Sequence, residues 1–203
     1  MLTFDEPTHT YFWHGKPVPN VTRVIAHLTD YSHIPPETLL RAQEEGKAIH
    51  KMVELDCKND LAVDSLPEWM RGRYAGWCRF KEEAGFKHLA AEKQMDSEAI
   101  GVAGTADIFC ILTKLSLISG VNNIDVKRSL YAGPAIGLQT AGYAELWDRN
   151  AAKNERVKHR GSLVLNDNGT YRFTTYDDPD DRWAFLACLQ QYRWREKNYG
   201  HRT

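Results

Sequence analysis

Apolar and polar positions alternate near the start of the chain. The stretch "THTYFWHGKPVP" does so on both sides of His14-Gly15, which predicts a short β-hairpin or bent strand. Asn20 then stands where an N-cap belongs, ahead of a short helix over "VTRVIAHLT". From Glu37 to Cys57 the period becomes helical, with Leu39, Leu40, Ala48, Ile49, Met52 and Val53 separated by charges. Gly46 falls inside this run. Glycine there costs about 1 kcal/mol against alanine, so close packing, a kink or a break between two helices is expected. Another helix is predicted over "PEWMRGRYAGWCRFKEEAG". Pro67 suits its first turn, Trp69, Tyr74, Trp77, Phe80 and Ala84 form its apolar face, and Gly85 stops it.

The period then changes to that of strands. "KHLAAEKQMDSEAIGVAGTADIFCILTK" predicts two strands with a turn near Asp96-Ser97, and "VNNIDVKRS" a third. "GPAIGLQTAGYAELWDRNAAKN" predicts a helix from Pro134. "GSLVLNDNGTYRFTTY" predicts a hairpin turning at Asn168-Gly169, and "DPDDRWAFLACLQQYRWREKNYG" a last amphipathic helix. This order predicts an α/β (α+β) chain with a central mixed β-sheet flanked by helices. The expected layout is one domain over residues 1–203: hairpin and short helix at 1–30, helices at 37–85, core at 86–147, hairpin and final helix at 160–200.

Bulk properties narrow the function classes. A chain of 203 residues suits one sizeable domain, and 42% hydrophobic with 26% charged residues reads as globular. The net charge of −1 gives no global attraction to nucleic acid, so any such contact must come from local basic groups. No apolar run approaches the roughly 20 residues of a membrane span, and "MLTFDEPTHTYFW" has no basic-then-apolar leader. Cys57, Cys78, Cys110 and Cys188 are scattered without a CxxC pair, which reads as free thiols in a cytoplasmic protein.

Candidate chemistry sits in the strands. On a strand Asp125 and Lys127 project the same way while Val126 enters the core. Asp107 lies on the preceding strand, and if the two strands pair, the two acids converge. Two carboxylates at one point repel unless a divalent cation joins them. Mg²⁺ takes such oxygen ligands and leaves room for phosphate and water. A neighbouring ammonium then orients the attacking water or stabilises charge on the phosphate. Asp-x-Lys alone is common by chance, so the reading depends on the surrounding residues. Gln139 and Tyr143, four apart on one predicted helix, share a face, as do His50 and Glu54 on another.

In the order "EEGKAIHKMVE", "AAEKQM", "GTAD", "IDVK", "QTAGY" the chain resembles the PD-(D/E)XK nuclease superfamily, in its RecB-like and lambda-exonuclease-like branch. "THTYFWHGKPVPNVTRVI" and "RGSLVLNDNGTYRF" also resemble phage-encoded members. The resemblance implies a restriction-endonuclease-like core and a stand-alone, Mg²⁺-dependent deoxyribonuclease in which Mn²⁺ substitutes. It implies an exonuclease of phage recombination or DNA processing in a bacterial host cytoplasm. The alternatives are a structure-specific endonuclease and a non-catalytic nucleic-acid-binding module. Implied catalytic residues are Asp107, Asp125, Lys127, Glu92, Gln139 and Tyr143, and implied metal ligands are His50, Glu92, Asp107, Asp125 and the Val126 carbonyl. The family often has Glu where Asp125 stands. The iron–sulfur branch has three late cysteines, and only Cys188 is late here, so no cluster is expected. Partners implied are DNA and a single-strand annealing or DNA-binding protein. Relatives act as rings or monomers, which leaves a homo-oligomer open.

Candidate DNA contacts are Arg128, Tyr131 and the helix start at Asn20 and Thr22, since helix N-termini favour anions. Capping alone also accounts for Asn20. Basic groups recur at Arg71, Arg73, Arg79 and Lys81, at Lys153, Arg156, Lys158 and Arg160, and at Arg193, Arg195 and Lys197.

Overall fold

The computed structural model describes residues 1–128 and 133–200. Its first strands, β1 (Leu2–Asp5), β2 (Thr10–Trp13) and β3 (Lys16–Val18), form an antiparallel meander. The hairpin expected around His14-Gly15 is β2–β3, with Trp13 opposite Lys16. The extra strand β1 pairs with β2, Phe4 opposite Tyr11. Helix α1 (Val21–Ile25) follows, and the Asn20 side chain accepts from the Arg23 N–H at 2.7 Å as an N-cap.

The main sheet holds five strands in chain order: β4 (Phe86–Ser97), β5 (Val102–Leu112), β6 (Val121–Lys127), β7 (Val157–Leu165) and β8 (Tyr171–Thr175). All neighbours are antiparallel except β6 and β7, which are parallel. Parallel neighbours need a crossover, and α4 (Ala135–Asn150) supplies it. Helices α2 (Pro36–Cys57) and α3 (Glu68–Ala84) cover one face, where Ile49, Met52, Trp77 and Phe80 pack on Ile108, Ile124, Val126 and Leu163. On the other face α1, α4 and α5 (Asp180–Tyr199) bring Val21, Leu146, Phe185 and Leu189 onto Val102 and Phe109. This is the α/β arrangement expected, a central mixed sheet flanked by helices.

Several local expectations change. The turn placed at Asp96-Ser97 lies at Glu98–Gly101, because pairing continues to Ser97 opposite Val102 and the Trp13 indole donates to Asp96 Oδ2 at 2.8 Å. Gly46 neither breaks α2 nor meets a packed neighbour, since nothing lies within 4 Å of where its Cβ would be. It belongs to the first half of α2, which projects past the core, and the buried residues of α2 begin at Ile49. Trp69, expected on the apolar face of α3, is exposed. Helix α5 buries only Phe185 and Leu189 completely among its apolar residues. Among the described residues no helix is long and apolar enough to cross a membrane.

The close approach sought at Gly46 occurs instead at Gly72 and Gly76. A Cβ on Gly72 would stand 1.6 Å from the Asp167 carbonyl oxygen, and one on Gly76 2.7 Å from that of Thr170. Helix α3 therefore lies directly on the β7–β8 turn, which fixes that hairpin against the core. On an exposed helix Gly→Ala stabilises by about 1 kcal/mol. Here the backbone clash reverses the sign, and Gly72→Ala should cost about 1–3 kcal/mol. The check is the denaturant midpoint, which should fall; an unchanged or higher midpoint contradicts the packing described.

Candidate active site

The β5–β6 ladder stops early. Its pairs run from Ile111 opposite Val121 to Ile108 opposite Ile124, and there the strands part. β6 stays paired with β7 through Lys127, and β5 stays paired with β4. The next residues on the open edge are Asp107 and Asp125. Asp107 Oδ2 accepts from the Val126 N–H at 2.7 Å, so a side chain takes the place of the missing ladder bond. The Val126 carbonyl in turn accepts from His50 Nε2 at 2.8 Å, across from α2. Both backbone groups of Val126 are thus held by side chains while its own side chain is fully buried.

That hydrogen bond defines the histidine. With Nε2–H donated to Val126, the neutral ring presents the Nδ1 lone pair, and Nδ1 lies 3.5 Å from Asp107 Oδ1 and 3.7 Å from Glu92 Oε1. His50, Glu92 and Asp107 each offer a ligand atom within 4.8 Å of the others. A lone pair facing two carboxylates is unfavourable unless a proton or a cation stands among them. The donor set, one imidazole nitrogen and carboxylate oxygens, fits a divalent cation such as Mg²⁺ or Mn²⁺.

The backbone records a further cost here. Glu92 has φ +45, in the left-handed region, in the middle of β4. Such a residue costs about 1–2 kcal/mol. Glu92 also stands across from Asp107, between the pairs Ala91–Ile108 and Lys93–Ala106. Like charges opposed across strands destabilise. Burial followed by Asp107 pushes the Glu92 carboxyl up to about 7.

Asp125 lies apart from the three-atom group. Its Oδ1 accepts from Gln139 Nε2 at 2.9 Å, and its Oδ2 pairs with Lys127 Nζ at 2.7 Å. Lys127 also reaches Gln139 Oε1 at 3.4 Å. Burial pushes the Asp125 carboxyl up to about 6, Lys127 opposing this. Burial pulls Lys127 down, but Asp125 and Asp107 outweigh it and the ammonium is held above its ordinary value. Burial likewise lowers His50, and Asp107, Asp125 and Glu92 together outweigh it, for a net rise. The buried Tyr143 phenol is pushed well up by burial and then by Asp107 and Asp125, so it stays neutral. Its ring lies on Gly104, where a Cβ would stand 2.9 Å from the tyrosine Cε1.

Of the predicted residues the structure brings together His50, Glu92, Asp107, Asp125, Val126, Lys127 and Gln139, with Tyr143 at their edge. Glu54 points elsewhere and pairs with Lys51 and Lys58. Asn20 Oδ1 accepts from both the Arg23 N–H and the Thr22 hydroxyl, so the capping account is sufficient there. Arg128 pairs with Glu45 at 2.6 Å. Tyr131 lies outside the described residues. The basic groups are mostly spoken for: Arg71 pairs with Glu68, Arg79 with Glu83 and Lys81 with Asp56, while Arg73 donates to the Leu165 and Arg128 carbonyls. Arg160 is buried and bonds the Gly137 carbonyl, Asp181 and the Asp178 carbonyl, and Arg193 donates to the Ile100 carbonyl. Lys153, Arg156, Lys158, Arg195 and Lys197 remain exposed.

Sequence reasoning missed the supports of α4. Asn123 on β6 and Arg160 on β7 are ladder partners, and their side chains donate to the carbonyls of Thr140 and Gly137, at 2.9 and 2.7 Å. Those carbonyls bracket Gln139 and set its approach to Asp125. A polar Asn123 inside the apolar strand was the available signal. Tyr11 was missed as well: its hydroxyl meets Thr105 Oγ1 at 2.5 Å, docking the N-terminal meander beside β5.

No protein-family model and no curated protein matches the chain. Among solved structures it is similar to SSO0001, at 13% identity and TM-score 0.34 over 60% of this chain and 56% of that one, so it spans little more than half of that structure. It is also similar to an alkaline exonuclease (LHK-Exo) from Laribacter hongkongensis, at 15% identity and TM-score 0.41, over 88% of this chain and 92% of that one. Likeness at this level leaves any assignment to rest on the geometry of the site.

The raised carboxyls have a measurable consequence. Glu92, near 7, and Asp125, near 6, hold protons in the folded chain where the unfolded chain has lost them. Folding therefore takes up protons between about pH 4 and pH 7, and this part of the stability falls as pH rises. His50 acts in the same direction, since its charged form is favoured in the fold and that contribution is lost as pH rises through its raised pKa. A bound divalent cation needs these groups deprotonated and opposes the trend. The metal-free melting temperature should drop between about pH 5 and pH 8 more steeply in wild type than in Glu92→Gln, and Mn²⁺ should reduce the drop. Equal slopes in the two proteins contradict the electrostatics described.

Proposed function

We propose that this chain is a divalent-metal-dependent deoxyribonuclease, acting as an exonuclease in phage recombination or DNA processing, with residues 1–203 forming one nuclease domain. The observation that carries the reading is the pairing, at one strand divergence, of the His50–Glu92–Asp107 group with the buried Asp125–Lys127 ion pair. The motif order "GTAD", "IDVK", "QTAGY" and the phage-like flanking stretches support the same reading.

In this proposal His50, Glu92 and Asp107 hold Mg²⁺ or Mn²⁺, with the Val126 carbonyl and Asp125 beside them. The ion supplies charge neutralisation among the carboxylates and polarisation of a phosphoryl oxygen and water. Lys127, held above its ordinary pKa, stays an ammonium. It therefore orients the attacking water and stabilises negative charge on the phosphoryl oxygens, and does not act as a base. Asp125 and Gln139 fix the lysine by the contacts they make to it. Tyr143, a neutral phenol, backs the edge of the site. Lys153, Arg156, Lys158 and Arg195 are among the exposed cations available for DNA phosphates, an interaction weakened by salt.

The test is digestion of linear, end-labelled DNA with Mg²⁺. Lys127→Ala should lose about a hundredfold to a thousandfold in kcat while keeping its affinity for Mn²⁺ by calorimetry. Digestion at the wild-type rate sinks the assignment. Closed circular DNA should stay intact, whereas nicking of it assigns an endonuclease on the same fold.

A further inference from the structure

The outward face of α5 carries Asp180, Trp183, Ala187, Gln190, Trp194 and Lys197, all exposed. These positions advance by alternating steps of three and four residues, the spacing of a helix seam that meets another helix. The two tryptophans are 69% and 57% exposed, a large apolar area left open to water on one line. The opposite face of the helix is firmly attached. Phe185 and Leu189 are buried in the core, Arg182 pairs with Glu145 at 2.5 Å, and Arg193 bonds the Ile100 carbonyl. The seam is therefore presented rigidly, which lowers the entropy lost on docking.

The seam matches itself when reversed. About the midpoint between Cys188 and Leu189, Asp180 falls opposite Lys197, Trp183 opposite Trp194, and the small Ala187 opposite Gln190. The acidic start of one helix thus meets the basic end of the other, and each tryptophan meets a tryptophan. A parallel arrangement would instead oppose Asp180 to Asp180 and Lys197 to Lys197. We infer that α5 is the interface of a two-fold symmetric dimer, in which the α5 helices of two copies of this chain pack antiparallel through the Trp183–Trp194 seam. An isologous contact of this kind uses the same patch on both subunits and closes after two. It rests on surface residues away from the nuclease site, so it stands or falls independently of the proposed activity.

Sedimentation equilibrium of the full chain tests it. Wild type should associate reversibly to a dimer, and Trp183→Ser or Trp194→Ser should weaken association by roughly a hundredfold. Their circular dichroism should be unchanged, because both side chains are largely exposed. Asp180→Lys or Lys197→Asp alone should weaken the dimer by roughly tenfold, and the double exchange should restore it. A monomer at every accessible concentration overturns the inference. So does an oligomer indifferent to the tryptophans, or a double exchange as weak as either single one, and the charge exchange decides even where a tryptophan variant fails to fold.

Discussion

Everything at the candidate site depends on where β5 and β6 stop pairing. A ladder continued past Ile108 and Ile124 would satisfy the Val126 N–H with backbone and leave no gap in the sheet. Because the strands part there, a buried N–H needs another acceptor, and the Asp107 carboxylate provides it. The same divergence lets α2 bring His50 to the Val126 carbonyl and lets α4 bring Gln139 to Asp125. The acids are not ornaments on a finished sheet; one of them is a structural bond of the sheet's open edge.

This arrangement concentrates unfavourable terms in a small volume. Glu92 has a left-handed backbone, Glu92 and Asp107 face each other as like charges, and Asp125 is almost fully buried. Burial favours the protonated form of Glu92 and of Asp125. Compensation comes from two apolar layers that hold the strands in place whatever the acids prefer: Ile108, Ile124 and Leu163 under α2 and α3, and Phe109, Leu146 and Phe185 toward α4 and α5. Phe109 stacks on Trp147 at 4.0 Å just beyond the acids. A framework so well anchored can carry a poorly satisfied edge, and ion binding relieves it.

Much of this was legible in the chain. Period-two and period-3.6 patterns located β5, β6, α2 and α4, and strand alternation placed Asp125 and Lys127 on one side with Val126 in the core. Four-residue spacing put Gln139 and Tyr143 on one helical face. What stayed hidden depends on contacts between distant segments. No local rule marks Glu92 as left-handed, because that conformation is imposed by tertiary surroundings. Nothing local sets Gly72 and Gly76 apart from other helical glycines; the Asp167–Thr170 turn that presses on them lies far along the chain. Arg160 looked like one more surface cation in a basic run, and only its ladder position beside Asn123 shows that it faces inward to α4. On α3, Arg71 and Arg79 pair with Glu68 and Glu83 one turn away on the same helix, whereas the Asp56 that takes Lys81 and the carbonyls that take Arg73 come from distant segments.

The backbone N–H and C=O of Val126 join two very different lengths of chain. Its N–H is tied to a residue 19 positions away, its C=O to one 76 positions away. Closing the longer loop costs about 1.2 kcal/mol more in chain entropy, for a single bond in each case. Partial opening of the molecule therefore favours loss of the longer tie first, with His50 leaving the Val126 carbonyl while the β5–β6 tie through Asp107 holds. The site would lose its histidine before its acids, passing through a state with an all-carboxylate mouth.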